Sequence, residues 1–153
     1  MGYAQTSRGV KKIILPQKDR NTIQRLLLAE LGGQTSKYSN KNLEKKIRKY
    51  FKGDNVDFRD IKVDLSKGTP FRQTIWRTTK KIPFGRTRSY GWIAKKAGNP
   101  KGARAVGQAL HENPLPIIVP CHRVVKSDGT IGGFSSGTST KKKLLMLECQ
   151  EIV

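Results

Sequence analysis

Asn113-Pro114-Leu115-Pro116-Ile117-Ile118-Val119-Pro120-Cys121-His122-Arg123-Val124 sets a cysteine beside a histidine, at the end of an apolar run broken by three prolines. Each proline fixes its own φ and pushes the residue before it toward extended geometry. The spacing therefore predicts a stiff, extended, non-helical segment that presents Cys121. A reacting atom held in place avoids the entropy of searching for its target. By residue type alone, a free cysteine is most often a small buried hydrophobe. The adjacent His122 opens a second reading, because an imidazole can lower a thiol's pKa directly or through water, and the thiolate is the reactive form. The apolar run also stops at Pro120, which puts Cys121 where the chain turns from buried to polar.

Upstream of this stretch the pattern is helical. Thr69-Pro70 reads as an N-cap followed by proline at the first helical position. Phe71, Ile75 and Ile82 mark an inner face, and Pro83-Phe84-Gly85 ends it. A helix from about Ser89 to Ala97 carries Tyr90, Ile93, Ala94 and Ala97 on one side, and Gly98-Asn99-Pro100 makes a turn. A second helix follows from about Lys101 to His111, with Ala103, Val106 and Leu110 as its stripe. Two short helices joined by a Gly-containing turn outline a helix-turn-helix, although helical hairpins are also common structural units. Downstream, glycines 129, 132, 133 and 137 break up a loop rich in Ser and Thr. A last helix, starting near Thr138–Thr140, carries Leu144, Leu145 and Leu147. Glu148 shares the inward side with Leu144 and Leu145. A carboxylate there needs a partner unless the helix end leaves it wet, and His111 and His122 are the two histidines available to it.

The first 68 residues read differently. Residues 1–9 give no pattern and are taken as a ragged start; Val10–Leu15 reads as a short strand stopped at Pro16. Ile23, Leu26, Leu27 and Leu31 recur at helical spacing up to Gly32-Gly33. Ser39 or Asn40 caps a second helix with Leu43, Ile47, Tyr50 and Phe51 on one face, closed by Gly53, while Lys45, Lys46, Arg48 and Lys49 form a solvated surface. Val56 and Phe58, then Ile61, Val63 and Leu65, alternate with period two, which predicts a strand bent or bulged at Arg59-Asp60. Ser66-Lys67-Gly68 is the expected junction between an N-terminal lobe (1–68) and a C-terminal lobe (69–153).

The chain has 31 Lys and Arg against 11 Asp and Glu, a formal net charge of +20. That imbalance points to a polyanionic partner, most simply nucleic acid. No stretch approaches a membrane span, and the N-terminus lacks the apolar core of a signal peptide. Two cysteines predict a reducing compartment rather than a disulfide framework. The dispersed Cys and His residues make no zinc site, so neither metal nor cofactor is expected.

Ser89-Tyr90, Gly98-Asn99-Pro100, Ala103-Arg104-Ala105-Val106-Gly107, Asn113-Pro114 and Pro120-Cys121-His122-Arg123-Val124-Val125 together resemble the O6-alkylguanine-DNA alkyltransferases. Gly132, Ser135 and Glu148 fall at matching positions, and the likeness runs from about residue 69 to 149. It implies an α/β N-terminal lobe with a reduced sheet, then a mainly helical lobe with a winged-helix-like helix-turn-helix. It also implies a single-use repair protein that acts as a monomer without a cofactor in the cytoplasm, nucleoid or nucleus. Its partner would be double-stranded DNA containing O6-alkylguanine, approached from the minor groove. Cys121 would accept the alkyl group, His122 would draw off its proton through a water, Glu148 would orient the histidine, and Asn113 would brace the turn. Tyr90 would help rotate the nucleotide out and help guanine leave; Arg104 would fill the gap in the stack. The resemblance also marks Gly91, Asn99, Ala103, Gly107, Arg123 and Ser127 as DNA contacts, and Val124, Phe134 and Ser135 as the base pocket. Phe134 stands where the family usually has Tyr. Cys149 replaces a customary Gly and is expected to be structural.

The small residues Gly102, Ala103 and Gly107 would let the second helix approach a groove closely; for Gly107, tight helix packing explains the glycine equally well. Three rivals remain: a lesion-sensing relative that does not repair, a helix-turn-helix regulator, and a cysteine hydrolase. The first is opposed by Cys121, the second by an unexplained Cys–His–Glu set, and the third by the charge.

Overall fold

Gly9, at φ +132°, turns the chain where a side chain would meet the Lys62 carbonyl at 2.5 Å. The turn joins β1 (Gly2–Thr6) to β2 (Gly9–Ile14), an antiparallel pair with a register shift between Ala4 and Gln5. The computed structural model describes residues 1–16, 19–32 and 39–149. Strand β1 corrects the reading of residues 1–9 as a ragged start. Its sequence lacks apolar alternation, and hydrogen bonds to β2 hold it. The strand expected over 56–65 does not form. Its one β-type pairing is an isolated parallel bridge between Val10 and Val63. Val56, Phe58, Ile61 and Leu65 are buried nonetheless, and so is Asp64, while Val63 is half-buried. The Asp64 carboxylate accepts from Thr6 Oγ1 at 2.7 Å and from the Ser66 amide at 3.1 Å, and this capture breaks the alternation.

Helix α1 (Arg20–Glu30) is capped by Asp19, whose Oδ1 accepts from the Thr22 amide at 2.9 Å. It buries Ile23 alone; Leu26, placed on the inner face by its spacing, is exposed. Gly33, half of the expected stop, lies outside the described residues, as do residues 150–153. Helix α2 (Lys41–Phe51) starts at Asn40, whose side chain accepts from the Leu43 amide at 3.0 Å. It buries Leu43, Ile47 and Tyr50 and leaves Phe51 exposed.

Helix α3 (Pro70–Lys80) has Thr69 as N-cap and Pro70 in its first turn. Its inner face is Ile75, Trp76 and Thr79, with Phe71 only half-buried. Trp76 Nε1 donates to the Ala109 carbonyl at 2.7 Å. That bond ties α3 to the second of the paired helices, α4 (Tyr90–Lys96) and α5 (Ala103–His111). Between them Gly98 takes a left-handed φ of +81°. Helix α5 buries Val106, Ala109 and Leu110. Two-residue strands β3 (Arg88–Ser89) and β4 (Val124–Val125) pair in parallel, and α6 (Thr138–Glu148) closes the fold.

The proline-rich stretch is stiff but not extended. The Val119 amide donates to the Leu115 carbonyl at 2.8 Å, and Ile117 sits at φ +75°. A β-branched residue there is strained by about 1–3 kcal/mol, offset by burial of Leu115, Ile117, Ile118 and Val119. Pro120 then kinks the chain, with the Cys121 amide bonded to the Val119 carbonyl at 2.7 Å, and Cys121–Arg123 form one 3-10 turn. With their amides removed by proline, several residues here cannot join a sheet ladder, so local turns satisfy the carbonyls instead.

One apolar core runs from Val10 through Tyr50, Leu65 and Ile75 to Leu144, across the expected junction at residue 68. Among the described residues no helix is long and apolar enough to cross a membrane.

Candidate active site

Cys121 is 5% exposed and lines a cavity of about 170 Å³ with Tyr90, Gly107, Leu110, His111, Gly133, Phe134 and Ser135. Asn113 holds the sulfur from one side. Its Nδ2 donates to Cys121 Sγ at 3.2 Å and to the Val119 carbonyl at 2.9 Å, and its Oδ1 accepts from the Leu115 amide. The bracing expected of Asn113 is thus accompanied by a direct bond to the thiol. Burial pushes the Cys121 thiol up, against the bond from Asn113 and the nearby charge of Lys141. The raised pKa favours the neutral thiol over a preformed thiolate.

His122 is fully buried, and burial lowers its pKa despite the Glu148 bond. Its Nε2 lies 2.5 Å from Glu148 Oε1. Its Nδ1 is buried without a hydrogen-bond partner, the one such side-chain nitrogen or oxygen among the described residues. A neutral imidazole with a proton on Nε2 leaves Nδ1 as a bare acceptor. Glu148 faces inward as its helical position predicts. Burial pushes its carboxyl up, but bonds from His122 and Arg123 outweigh that and hold it at about 2. It also accepts from the Gly85 amide at 3.1 Å and from the Tyr50 hydroxyl at 2.7 Å.

Arg123, expected at a DNA surface, is interior. Its Nε and Nη2 donate to Glu148 at 2.8 and 2.9 Å and its Nη1 to the Ile82 carbonyl at 2.6 Å. A charge with its donors spent inside the protein has little left for a phosphate, and the carboxylate of α6 provides the counter-charge that makes its burial tolerable. Val124 is buried, with its carbonyl accepting from Lys141 Nζ at 2.6 Å. Cys149, expected to be structural, is exposed.

Lys141 was not singled out by the sequence. It is fully buried and donates also to the Gly133 carbonyl at 3.2 Å and the Tyr90 hydroxyl at 3.4 Å. Burial lowers its pKa to about 8, against the pull of Cys121. Its place three residues before Leu144 and seven before Glu148 was the signal for an inward face. Tyr50 was placed on the inner face of its helix by its spacing, but nothing in the sequence paired its hydroxyl with Glu148, 98 residues away. Gly132 is obligatory beside this cluster: it adopts φ +70°, and a Cβ would stand 3.0 Å from the Tyr90 hydroxyl.

A second, adjoining groove of about 450 Å³ gathers Tyr90, Gly91, Ala103, Arg104, Gly107, Ser127 and Gly132. Arg104 and Ser127 are exposed there. Asn99 does not line it; it sits in the turn before α5. A Cβ on Gly107 would find only ordinary contact, with Tyr90 at 3.9 Å, so tight packing does not account for that glycine. Among the described residues no three His, Cys, Asp or Glu side chains could hold a metal ion together.

Fold and site define a protein built around an enclosed cysteine, with a buried His–Glu pair and two short paired helices about it. The family sequence described as "6-O-methylguanine DNA methyltransferase, DNA binding domain" matches residues 70–150. Methylated-DNA–protein-cysteine methyltransferases of Methanosarcina acetivorans and Mycobacterium tuberculosis are each 47% identical, over 104 and 102 residues, covering 68% and 67% of this chain. The matched stretch spans 65% and 61% of those proteins' own length. A crystal structure of Mycobacterium tuberculosis OGT in complex with DNA superposes at TM-score 0.73 with 33% identity, covering 95% of this chain and 84% of that one. O6-methylguanine-DNA methyltransferase from the archaeon Pyrococcus kodakaraensis gives TM-score 0.70 and 33% identity over 94% of this chain and 88% of its own. The chain belongs to the methylated-DNA–protein-cysteine methyltransferase family.

Proposed function

We propose that this protein repairs DNA by taking the alkyl group of O6-alkylguanine onto Cys121, once per molecule. The observation that carries the proposal is the enclosed Cys121 thiol, bonded by Asn113, beside a His122 whose Nδ1 is a bare acceptor. The sulfur pair forms the S–C bond as the C–O6 bond breaks. The thiol proton passes to His122 Nδ1, directly or through one water, and the C–O6 pair leaves with guanine. Glu148 steadies the imidazolium. The Tyr90 hydroxyl, which accepts from Lys141, has its own proton free to meet the charge on the leaving base. A thioether resists water, unlike the thioester of a cysteine hydrolase, so no second turnover follows.

A lesion stacked in a duplex cannot bring its alkyl carbon to an enclosed thiol, so the nucleotide must swing out, at a cost lowest for a mispaired base. The small-residue face of α5, with Arg104 beside Tyr90 in one groove, suits entry into a minor groove, where reading is degenerate and repair can be indifferent to sequence. The turn at 126–130 after β4 serves as a wing. The net charge of +20 supplies non-specific attraction to DNA. In this reading residues 69–153 form the DNA-binding and acceptor lobe, residues 1–68 support it, and the protein works as a monomer wherever the cell keeps its DNA. A lesion sensor without repair is the alternative, which the acceptor thiol disfavours.

The test is incubation with duplex DNA bearing one O6-methylguanine, followed by intact-protein and peptide mass measurement. One methyl on Cys121 per chain is expected; an unmodified protein that still binds the duplex would overturn repair in favour of sensing.

A further inference from the structure

Tyr50 belongs to α2, far in sequence from the acceptor, yet its side chain is fully buried against the His–Glu pair. Its hydroxyl lies 2.7 Å from Glu148 Oε1 and 3.2 Å from His122 Nε2. Its ring stands edge-on to the His122 ring, with centroids 6.5 Å apart. Phe51, Phe58 and Phe84 hold it in turn, at centroid distances of 5.5, 5.9 and 6.1 Å. Resting on the proposed transfer to Cys121, we infer that Tyr50 is a positioning residue of that reaction: its hydroxyl keeps the proton of neutral His122 on Nε2 and so keeps Nδ1 bare for the thiol proton.

The argument is one of proton counting. A hydroxyl has a single proton and two lone pairs. An ionised carboxylate only accepts, so the hydroxyl proton goes to Oε1, the shorter contact. The oxygen's lone pair then faces Nε2, and a lone pair there would repel a bare ring nitrogen. Nε2 must therefore carry the hydrogen, shared between Oε1 and the hydroxyl. Glu148 favours the same tautomer, but its Oε1 also serves Arg123 Nη2. Tyr50 adds a second, rigid acceptor and fixes the ring plane from α2. Residues 1–68 are fastened to the acceptor segment also where the Ile13 amide donates to the Pro114 carbonyl at 2.8 Å. The N-terminal segment thus takes part in the chemistry by orienting its base.

Tyr50→Phe keeps the ring and removes the hydroxyl. The charged and titratable groups around His122 are then Glu148 and Lys141 from α6, Arg123 from the 3-10 turn, and Cys121. With one donor fewer, Glu148 becomes more basic and stabilises the imidazolium better. His122 then protonates at higher pH, and the acid limb of the transfer rate moves upward. The single-turnover rate at saturating DNA should fall about tenfold at neutral pH, with DNA affinity unchanged. Nitrogen-15 NMR of the imidazole should show wild-type Nδ1 unprotonated and Nε2 protonated, and a mixture of tautomers in Tyr50→Phe. Ile47→Val, which loosens α2 without touching the hydroxyl, separates this role from a merely structural one: its pH profile and tautomer should match wild type. A folded Tyr50→Phe with wild-type rate, acid limb and nitrogen spectrum would overturn the inference, as would a protonated Nδ1 in the wild type. If wild type transfers no methyl, the proposed function fails while the nitrogen spectrum still decides the tautomer claim.

Discussion

Replacing Glu148 by glutamine keeps the shape of the side chain and removes its charge from beneath Arg123 and His122. The carboxyl group titrates near 4.5 when unperturbed and at about 2 in the fold. At about 1.36 kcal/mol per pH unit, that difference corresponds to about 3 kcal/mol of stability. Breaking a buried ion pair by removing one partner typically costs about 3–5 kcal/mol, which agrees. The sign follows from the lowered folded-state pKa. The contribution is complete above the unfolded value near 4.5 and is lost as pH falls toward 2. Urea unfolding, followed by the fluorescence of Trp76 and Trp92, should therefore show Glu148→Gln about 3 kcal/mol less stable than wild type at neutral pH. The gap should narrow below pH 4.5. Because the group is buried, added salt should change it little. A gap under about 1 kcal/mol, the range of a surface ion pair, or a gap unchanged by acid, would refute the reasoning.

Cys121→Ser should abolish methyl uptake and leave duplex affinity nearly intact, with the affinity falling steeply as salt rises; methylation of the variant detected by mass would remove Cys121 from its role. Arg104→Ala should slow transfer from duplex DNA far more than from free O6-benzylguanine, because only the duplex leaves a gap to fill; equal losses would mean Arg104 serves the fold. Lys141 titrates at about 8 in the fold against 10.5 when free. The unfolded chain therefore binds more protons between these values, and stability should rise with pH across them in wild type but not in Lys141→Met, as read by urea unfolding. Methylation of Cys121 costs the sulfur much of its bond from Asn113, worth about 1 kcal/mol. Calorimetry of the alkylated protein should show Tm lower by about 2–4 °C for a chain of this size.

The sequence by itself determined what local chemistry decides. The cap at Thr69 lies where the sequence put it, and of Ser39 and Asn40 it is Asn40 that caps α2, each side chain accepting from an amide three residues on. The inward side of α6 was legible because helical period places Leu144 and Glu148 together. Cys121 and its neighbour His122 could be picked out because proline spacing and a specific motif stand in one contiguous run. Tertiary structure alone decided the rest. Whether Val56–Leu65 became a strand depended on Asp64 finding Thr6 across the chain. The course of the 113–120 run depended on burying four apolar side chains at the expense of strain at Ile117. Arg123 reads as a surface cation until Glu148 comes within 2.8 Å of it. Tyr50 reads as one more core aromatic until its hydroxyl meets a carboxylate 98 residues away. Period and capping act over a few residues and leave their mark in the chain. The partner of a buried polar atom is chosen by packing between distant segments, and nothing in local sequence encodes that choice.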